Sequence, residues 1–418
     1  MKFRIIAIWF ICVLVKVQLA FAQSNMAITN NAKDSSVNRF SGLSQLHQLD
    51  FIDIGLAIIN KSALRKEDSI SHKSGIVFAS PVPAIGYSLQ TGFEVSLVGN
   101  LAFYTGNNTD ANISSITSSV NYTQYHQFLF PIQANIWTNN NKLNIQTDWH
   151  YVKFPQATYG LGGYSKLSDE YTIDFSNIRL YTTVFKTIAK DMYFGAGYNF
   201  DYIWGAQEIN PPKGKITDYE KYGVIPISYA SGIILSYLYD SRRNSINAEE
   251  GSLLNLLLRP NFKALGSSDD WESIVLDMRK FIPLPFGRHN ILALWSYDWF
   301  TFNNGKPPYI LLPNTGGDPF ANTGRGFNEG RFRGRNMLYC EGEYRLSLSR
   351  NDFLGAVIFA NAQSFTEETS HQFEVIHPAI GAGLRFKFNK YSRTNVAIDY
   401  AFGNDGSKGM YLNLGEIF

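Results

Sequence analysis

The chain has 418 residues, with 37 Lys and Arg against 35 Asp and Glu, and aromatic residues make up 15% of it. A balance so near neutral supplies no basic field for nucleic acid. Of the two cysteines, Cys12 lies in the N-terminal apolar run expected to be removed, and Cys340 left alone allows neither a disulfide within the chain nor a cysteine-based metal site.

The N-terminus reads as an export signal. Lys2 and Arg4 precede an apolar run from Ile5 to Val15, and Ala20-Phe21-Ala22 offers a small-residue cleavage site. The run is too short to span a bilayer and Lys16 interrupts it, so residues 1–22 are predicted to be a cleaved signal peptide. Lys2, Arg4, Lys16 and Cys12 leave with it, so 34 basic groups remain against 35 acidic ones. Residues 23–73 start polar and Ser/Asn-rich, then carry Leu49, Ile52, Leu56 and Ile59 at helical spacing. They read as a short periplasmic linker or plug.

From residue 74 to 418 the chain alternates in polarity. The predicted strands are 75–89, 92–106, 113–124, 127–138, 142–154, 170–188, 191–204, 228–243, 251–264, 270–283, 289–302, 337–349, 352–365, 378–388, 393–403 and 409–418. In 142–154, Leu143, Ile145, Thr147, Trp149 and Tyr151 share one face and Asn144, Gln146, Asp148 and His150 the other. In 378–388, Ile380, Leu384 and Phe386 oppose Gly381, Gly383, Arg385 and Lys387. A soluble sandwich or propeller seldom keeps charge on one consistent face through so many strands, whereas a barrel with a wet lumen and a lipid face does. Sixteen strands is also an even number, as closure of a bacterial barrel requires. The predicted class is therefore all-β, a 16-stranded antiparallel transmembrane β-barrel. Its last strand, 409–418, places Met410, Leu412, Leu414 and Phe418 on one face.

Two further features stand out. Pro81 and Pro83 lie in or just before the first strand: either both belong to the entry linker and the strand begins after them, or, since residues of equal parity aim their amides at one neighbour, two donors are missing along one edge. If that edge meets strand 409–418, the seam is thin there. The segment 303–336 is far longer than a hairpin needs, and it carries Arg325, Arg331, Arg333 and Arg335 among glycines. On the strand that follows, Met337, Tyr339, Glu341, Glu343 and Arg345 share a face. Two carboxylates and an arginine thus point toward the lumen beside the loop.

Catalytic patterns are missing from the sequence: there is no G-x-S-x-G elbow, H-E-x-x-H pair or phosphate loop. His150 beside Asp148 reads as polar lumen lining. No enzyme activity, cofactor or metal is expected.

Several of these elements, in order, resemble the BamA/TamA superfamily of outer-membrane assembly barrels, also called the bacterial surface antigen family. Gly316-Gly317 followed by Arg325-Gly326-Phe327 looks like the family's Arg-Gly-Phe/Tyr tip of the sixth extracellular loop. Glu343-Tyr344-Arg345 resembles the strand after it, and Gly381 to Phe386 with Ile398 to Phe402 resembles the penultimate region. Asp240 to Leu254 looks like the family's Asp-x-Arg…Pro-x-x-Gly hairpin, with Ala248 where Pro is usual. The resemblance implies that the long loop folds into the lumen, that Arg325 reaches an acidic site including Glu343, with Glu341 and Arg345 beside it, and that the first and last strands form a weak seam. Pro81, Pro83, Tyr411 and the terminal aromatic Phe418 would mark that seam and the C-terminal signal. Two departures matter. Phe359-Ala360-Asn361-Ala362-Gln363 stands where the family commonly has an aspartate and a glycine, and 51 residues leave no room for periplasmic POTRA modules. The expected function is an accessory role in inserting or translocating protein or lipid at the bacterial outer membrane. Its partners would be outer-membrane lipids and other membrane proteins, and not nucleic acid. The alternative is a passive pore or a structural subunit of a larger outer-membrane complex.

Overall fold

The computed structural model describes residues 48–51, 75–88, 90–105, 114–138, 141–242, 244–285, 289–302, 305–390 and 393–418. The predicted signal peptide at 1–22 and most of the predicted linker at 23–73 lie outside them. The described residues form one closed antiparallel sheet.

Its strands are β1 (Gly75–Ser88), β2 (Gly92–Tyr104), β3 (Ser114–Thr123), β4 (Phe128–Trp137), β5 (Leu143–Lys153), β6 (Gln156–Thr158), β7 (Tyr171–Ala189), β8 (Met192–Ile209), β9 (Ile227–Asp240), β10 (Gly251–Asn261), β11 (Trp271–Pro283), β12 (Ile291–Phe302), β13 (Asn336–Ser347), β14 (Leu354–Phe365), β15 (His377–Asn389), β16 (Thr394–Gly403) and β17 (Lys408–Leu414). Apart from β5 and β6, which both pair with β7, every strand pairs with its sequence neighbours, and β1 meets β17. The short β6 continues β5 along β7 after a break at Phe154 and Pro155, so the barrel has sixteen staves. Sequence reading stopped that stave at 154, because a proline removes a ladder donor and normally ends a strand.

The alternation is realised as an outer apolar belt and a wet interior. On β2, Phe93, Val95 and Leu97 are exposed outward while Ser96 is buried; on β16, Ile398, Tyr400 and Phe402 face out and Asp399 in. The four longest connections, 159–170, 210–226, 303–335 and 366–376, lie at the same end of the barrel. There they interlock. The Gly162 amide donates to the Arg333 carbonyl at 2.7 Å, Gly163 and Tyr164 donate to the Glu367 carboxylate, and the Leu161 amide donates to Asp218. Asp218 starts a one-turn helix, α1 (Asp218–Tyr222), held by a capping box between Thr217 and Glu220. These contacts roof that mouth of the barrel.

At the opposite end, His289 Nε2 lies 3.3 Å from Asp352 and its Nδ1 lies 3.1 Å from Glu249. One imidazole thereby ties three turns together. Residues 48–51 dock on the same rim. The Leu49 amide donates to the Asn351 carbonyl, the buried Asp50 carboxylate accepts from the Lys390 amide at 2.9 Å, and the Phe51 ring packs edge-on to Phe353.

One predicted element is corrected. β17 ends at Leu414 rather than running to 418. Gly415 takes a φ of +116°, which only glycine adopts without strain, and the tail turns inward. Phe418, expected on the outer face, is instead buried in the lumen. It stacks on Trp295 with ring centroids 5.1 Å apart.

Candidate functional site: the lumen loop and the seam

The segment 305–335 folds into the barrel as a hairpin of its own. Asn314 and Arg333 form an antiparallel bridge, the Thr315 amide donates to the Phe332 carbonyl, and the Gly330 amide donates to the Thr315 carbonyl. Asp318 organises the near turn by accepting from the amides of Phe320, Asn322 and Thr323. At the tip, Gly326 has a φ of +108°, and a Cβ there would come within 2.9 Å of Ala379 Cβ and 3.1 Å of the Gly403 nitrogen. The tip therefore requires glycine both for its backbone angle and for its closeness to the wall.

That turn delivers Arg325 into the densest ionic cluster among the described residues. Its Nη2 lies 2.5 Å from Glu341 and 2.6 Å from Glu343, and its Nη1 lies 2.6 Å from Asp399. The guanidinium carbon sits 3.5 Å from the centre of the Phe359 ring. Arg345 holds Glu343 at 2.7 Å, and Arg385 joins Asp399 at 2.5 Å to Glu416 at 2.7 Å. Three arginines thus face four carboxylates in a region almost closed to solvent. The surplus acid is served by neutral donors, since the Tyr339 hydroxyl donates to Glu341 at 2.6 Å and Asn361 also reaches that carboxylate. Satisfaction of its members is what stabilises a buried network of this kind, and among these side chains only Arg345 Nη1 and Asn361 Oδ1 have no hydrogen-bond partner among the described residues.

All ten residues singled out in the sequence can be placed. Arg325, Glu341, Glu343 and Arg345 meet in this cluster. Gly326 and Phe327 dock on the last strands: the Gly326 amide donates to the Tyr411 hydroxyl at 2.8 Å, and that hydroxyl donates to the Phe327 carbonyl. The Phe327 ring lies over Gly403, where a Cβ would meet it at 2.6 Å. Phe418 is inside the barrel, where its main-chain oxygen accepts from Arg345 Nη2 at 2.8 Å. Pro81 and Pro83 fall within β1, opposite Gly99 and Leu97 of β2.

Reading by sequence missed Asp399, Arg385 and Glu416 as partners of this cluster. Asp399 and Arg385 were legible as wet-face residues, but nothing local says that they converge on Arg325. Asn361, which stands where a second acid was sought, donates instead to the Arg325 carbonyl at 2.9 Å. His150 lies 3.5 Å from Asp148, which also faces Arg179, in a separate polar cluster on the opposite wall.

Among the described residues the seam has a single paired position, Tyr87 opposite Leu412. At this register, residues 416 and 418 of a straight β17 would stand opposite Pro83 and Pro81. A proline is tolerated in a sheet where its missing N–H would face no strand, and the inward turn at Gly415 leaves those two positions facing none. Beside the seam a cavity of about 490 Å³ reaches from the outward residues Tyr87, Val396 and Leu412 to Arg325 and Glu329 inside.

No family model matches the sequence, nor does any curated protein. Among solved structures, the barrel is similar to BamA from Haemophilus ducreyi lacking POTRA domains 1–3. The TM-score is 0.55 at 11% identity, over 87% of this chain and 78% of that one. CdiB from Escherichia coli gives a TM-score of 0.50 at 12% identity, over 88% of this chain and 71% of that one. CdiB from Acinetobacter baumannii gives 0.50 at 12% identity over 80% of this chain, which spans only 59% of that protein's length. Identities this low speak for fold alone, and the chain has the closed sixteen-stave barrel fold shared by BamA and CdiB.

Proposed function

We propose that this chain resides in the bacterial outer membrane as a non-enzymatic accessory barrel that helps insert or translocate protein or lipid, acting with protein partners through its seam and lumen loop. The observation that carries the reading is a pairing of opposites. The mouth at the long-loop end is roofed by interlocked loops, while the wall between β1 and β17 is held by one paired position among the described residues. A route through such a barrel opens sideways at lower cost than upward. The lumen loop is anchored to β13 and to β16 and β17, and β17 borders that seam, so loop and seam are mechanically linked.

The direct test is to delete the gene and measure outer-membrane protein and lipid composition. A changed envelope, with partner chains that co-purify from native membranes, supports the reading. An unchanged envelope together with selective ion conductance by the purified barrel would replace it with the passive pore.

A further inference from the structure

The cavity at the seam is amphipathic along its length. Its outer end is lined by Tyr87, Phe388, Val396, Leu412 and Leu414, and its inner end by Glu94, Ser96, Thr323, Asn413 and Glu329. Phe320 is 61% exposed and lies against the same space. The volume of about 490 Å³ falls within the range of ~300–1,000 Å³ typical of small-molecule sites.

Two observations select the occupant. The first concerns backbone. Residues Pro81 and Pro83 remove two donors from the β1 edge just below Tyr87, so a guest strand added there would find an interrupted ladder. The second concerns charge. Among the described lining residues Arg325 is the sole cation, and three carboxylates already hold it. Glu94 accepts from the Ser96 hydroxyl at 2.8 Å through Oε1, and Glu329 accepts from Gln156 at 2.7 Å through Oε1. Neither forms an ion pair among the described residues, although Arg333, bound to the same Gln156, acts on Glu329 at longer range. The inner end therefore attracts a cation, and the outer end opens directly to acyl chains.

We infer that this cleft binds a membrane phospholipid with an amine-bearing head, one acyl chain lying between β1 and β17 and the ammonium directed toward Glu94 and Glu329. The inference rests on the proposed role at the outer membrane and names lipid as the class of molecule that enters the seam.

The test uses the full barrel in vesicles of phosphatidylethanolamine or phosphatidylglycerol, each doped with the same lipid carrying a photoactivatable acyl chain. Labelled residues are mapped by mass spectrometry. Leu180 and Ile233, outward on the far wall, serve as internal reference. Labelling of Val396, Leu412 or Leu414 should exceed the reference at least threefold, and more so with the ethanolamine lipid. The double variant Glu94→Gln with Glu329→Gln should lose the head-group preference while far-wall labelling stays constant. A Tyr87→Cys, Leu412→Cys disulfide in a Cys340→Ser background should lower the seam labelling itself. Even labelling around the barrel, or a preference that survives the double variant, overturns the site. If the seam is labelled as stated but gene deletion leaves the envelope unchanged, the site stands and the assembly role fails. An altered envelope with even labelling is the converse.

Discussion

The strand pairs β13–β14 and β1–β17 belong to the same sheet yet close in different ways. Eleven consecutive residues pair between β13 and β14, from Met337 opposite Phe365 to Ser347 opposite Gly355. Between β1 and β17, among the described residues, only Tyr87 and Leu412 pair. Where the ladder is complete, backbone hydrogen bonds hold the wall, and the side chains of Glu341 and Glu343 are free to build an ionic site. Where the ladder fails, side chains take over: Tyr411 is bound by the loop tip, and Glu416 and Phe418 are bound by Arg385 and Arg345. Integrity of the seam thus depends on the lumen more than on pairing.

The sharpest way to break this contrast is Arg325→Ala. It leaves Glu341, Glu343 and Asp399 buried around a lost cation, and removal of one partner from such a cluster costs about 3–5 kcal/mol. Thermal unfolding of the barrel in detergent should show the loss, and the loop should become accessible to protease. Arg325→Lys should recover only part of it, because a single ammonium cannot reproduce the fork that spans three carboxylates. A variant as stable as the parent, with an intact loop, would remove the cluster from its central place.

Tyr411→Phe is the next largest. It deletes the hydroxyl that accepts from Gly326 and donates to Phe327, for about 1–2 kcal/mol. Amide exchange should rise at Gly326 and across β17, and stay unchanged across β13–β14. Equal exchange in both regions would show that the tip does not support the seam.

A third substitution set works in the opposite direction. Pro81→Val with Pro83→Val restores two donors, and Gly415→Ala disfavours the inward turn at φ +116° by about 1 kcal/mol or more. Together they should draw residues 415–418 out of the lumen and lengthen the β1–β17 ladder, seen as slowed amide exchange along β1. If exchange there does not slow, the prolines are not what limits pairing.

The smallest effect is that of pH on the rim opposite the long loops. Hydrogen bonds from His289 to Asp352 and Glu249 raise its pKa from 6.5 to about 9. Asp352 is held near 2: burial opposes this, and the His289 contact outweighs it. The imidazolium contribution is therefore complete below about 6.5 and fades as pH rises through about 9, while that of Asp352 is complete above about 3.8 and fades as pH falls toward 2. For a partly exposed clasp the loss is on the order of 1 kcal/mol or less. Titrating the melting temperature of the parent against His289→Gln checks it, since the difference between the two should vanish above pH 9. A constant difference would dismiss the clasp.

Period-two alternation was enough to find all sixteen staves and to orient them, because a strand sends successive side chains to opposite faces whatever its neighbours are. Thr394–Gly403 is the clearest case, with Val396, Ile398, Tyr400 and Phe402 outward and Asp399 inward as its own residues require. The loop tip at Arg325 and its acids at Glu341 and Glu343 were also legible, since eighteen residues at most separate them and the order of motifs marked them. Asp399, Arg385 and Glu416 join the same cluster from up to ninety-one residues away, and only closure of the sheet brings them there. The tail shows the limit most plainly. Strict parity sends Phe418 to the lipid face, but parity holds only while a strand continues. Gly415 ends it, the prolines of a strand more than 330 residues earlier in the chain offer nothing to pair with, and the arginines of the lumen draw Glu416 and the Phe418 carbonyl inward.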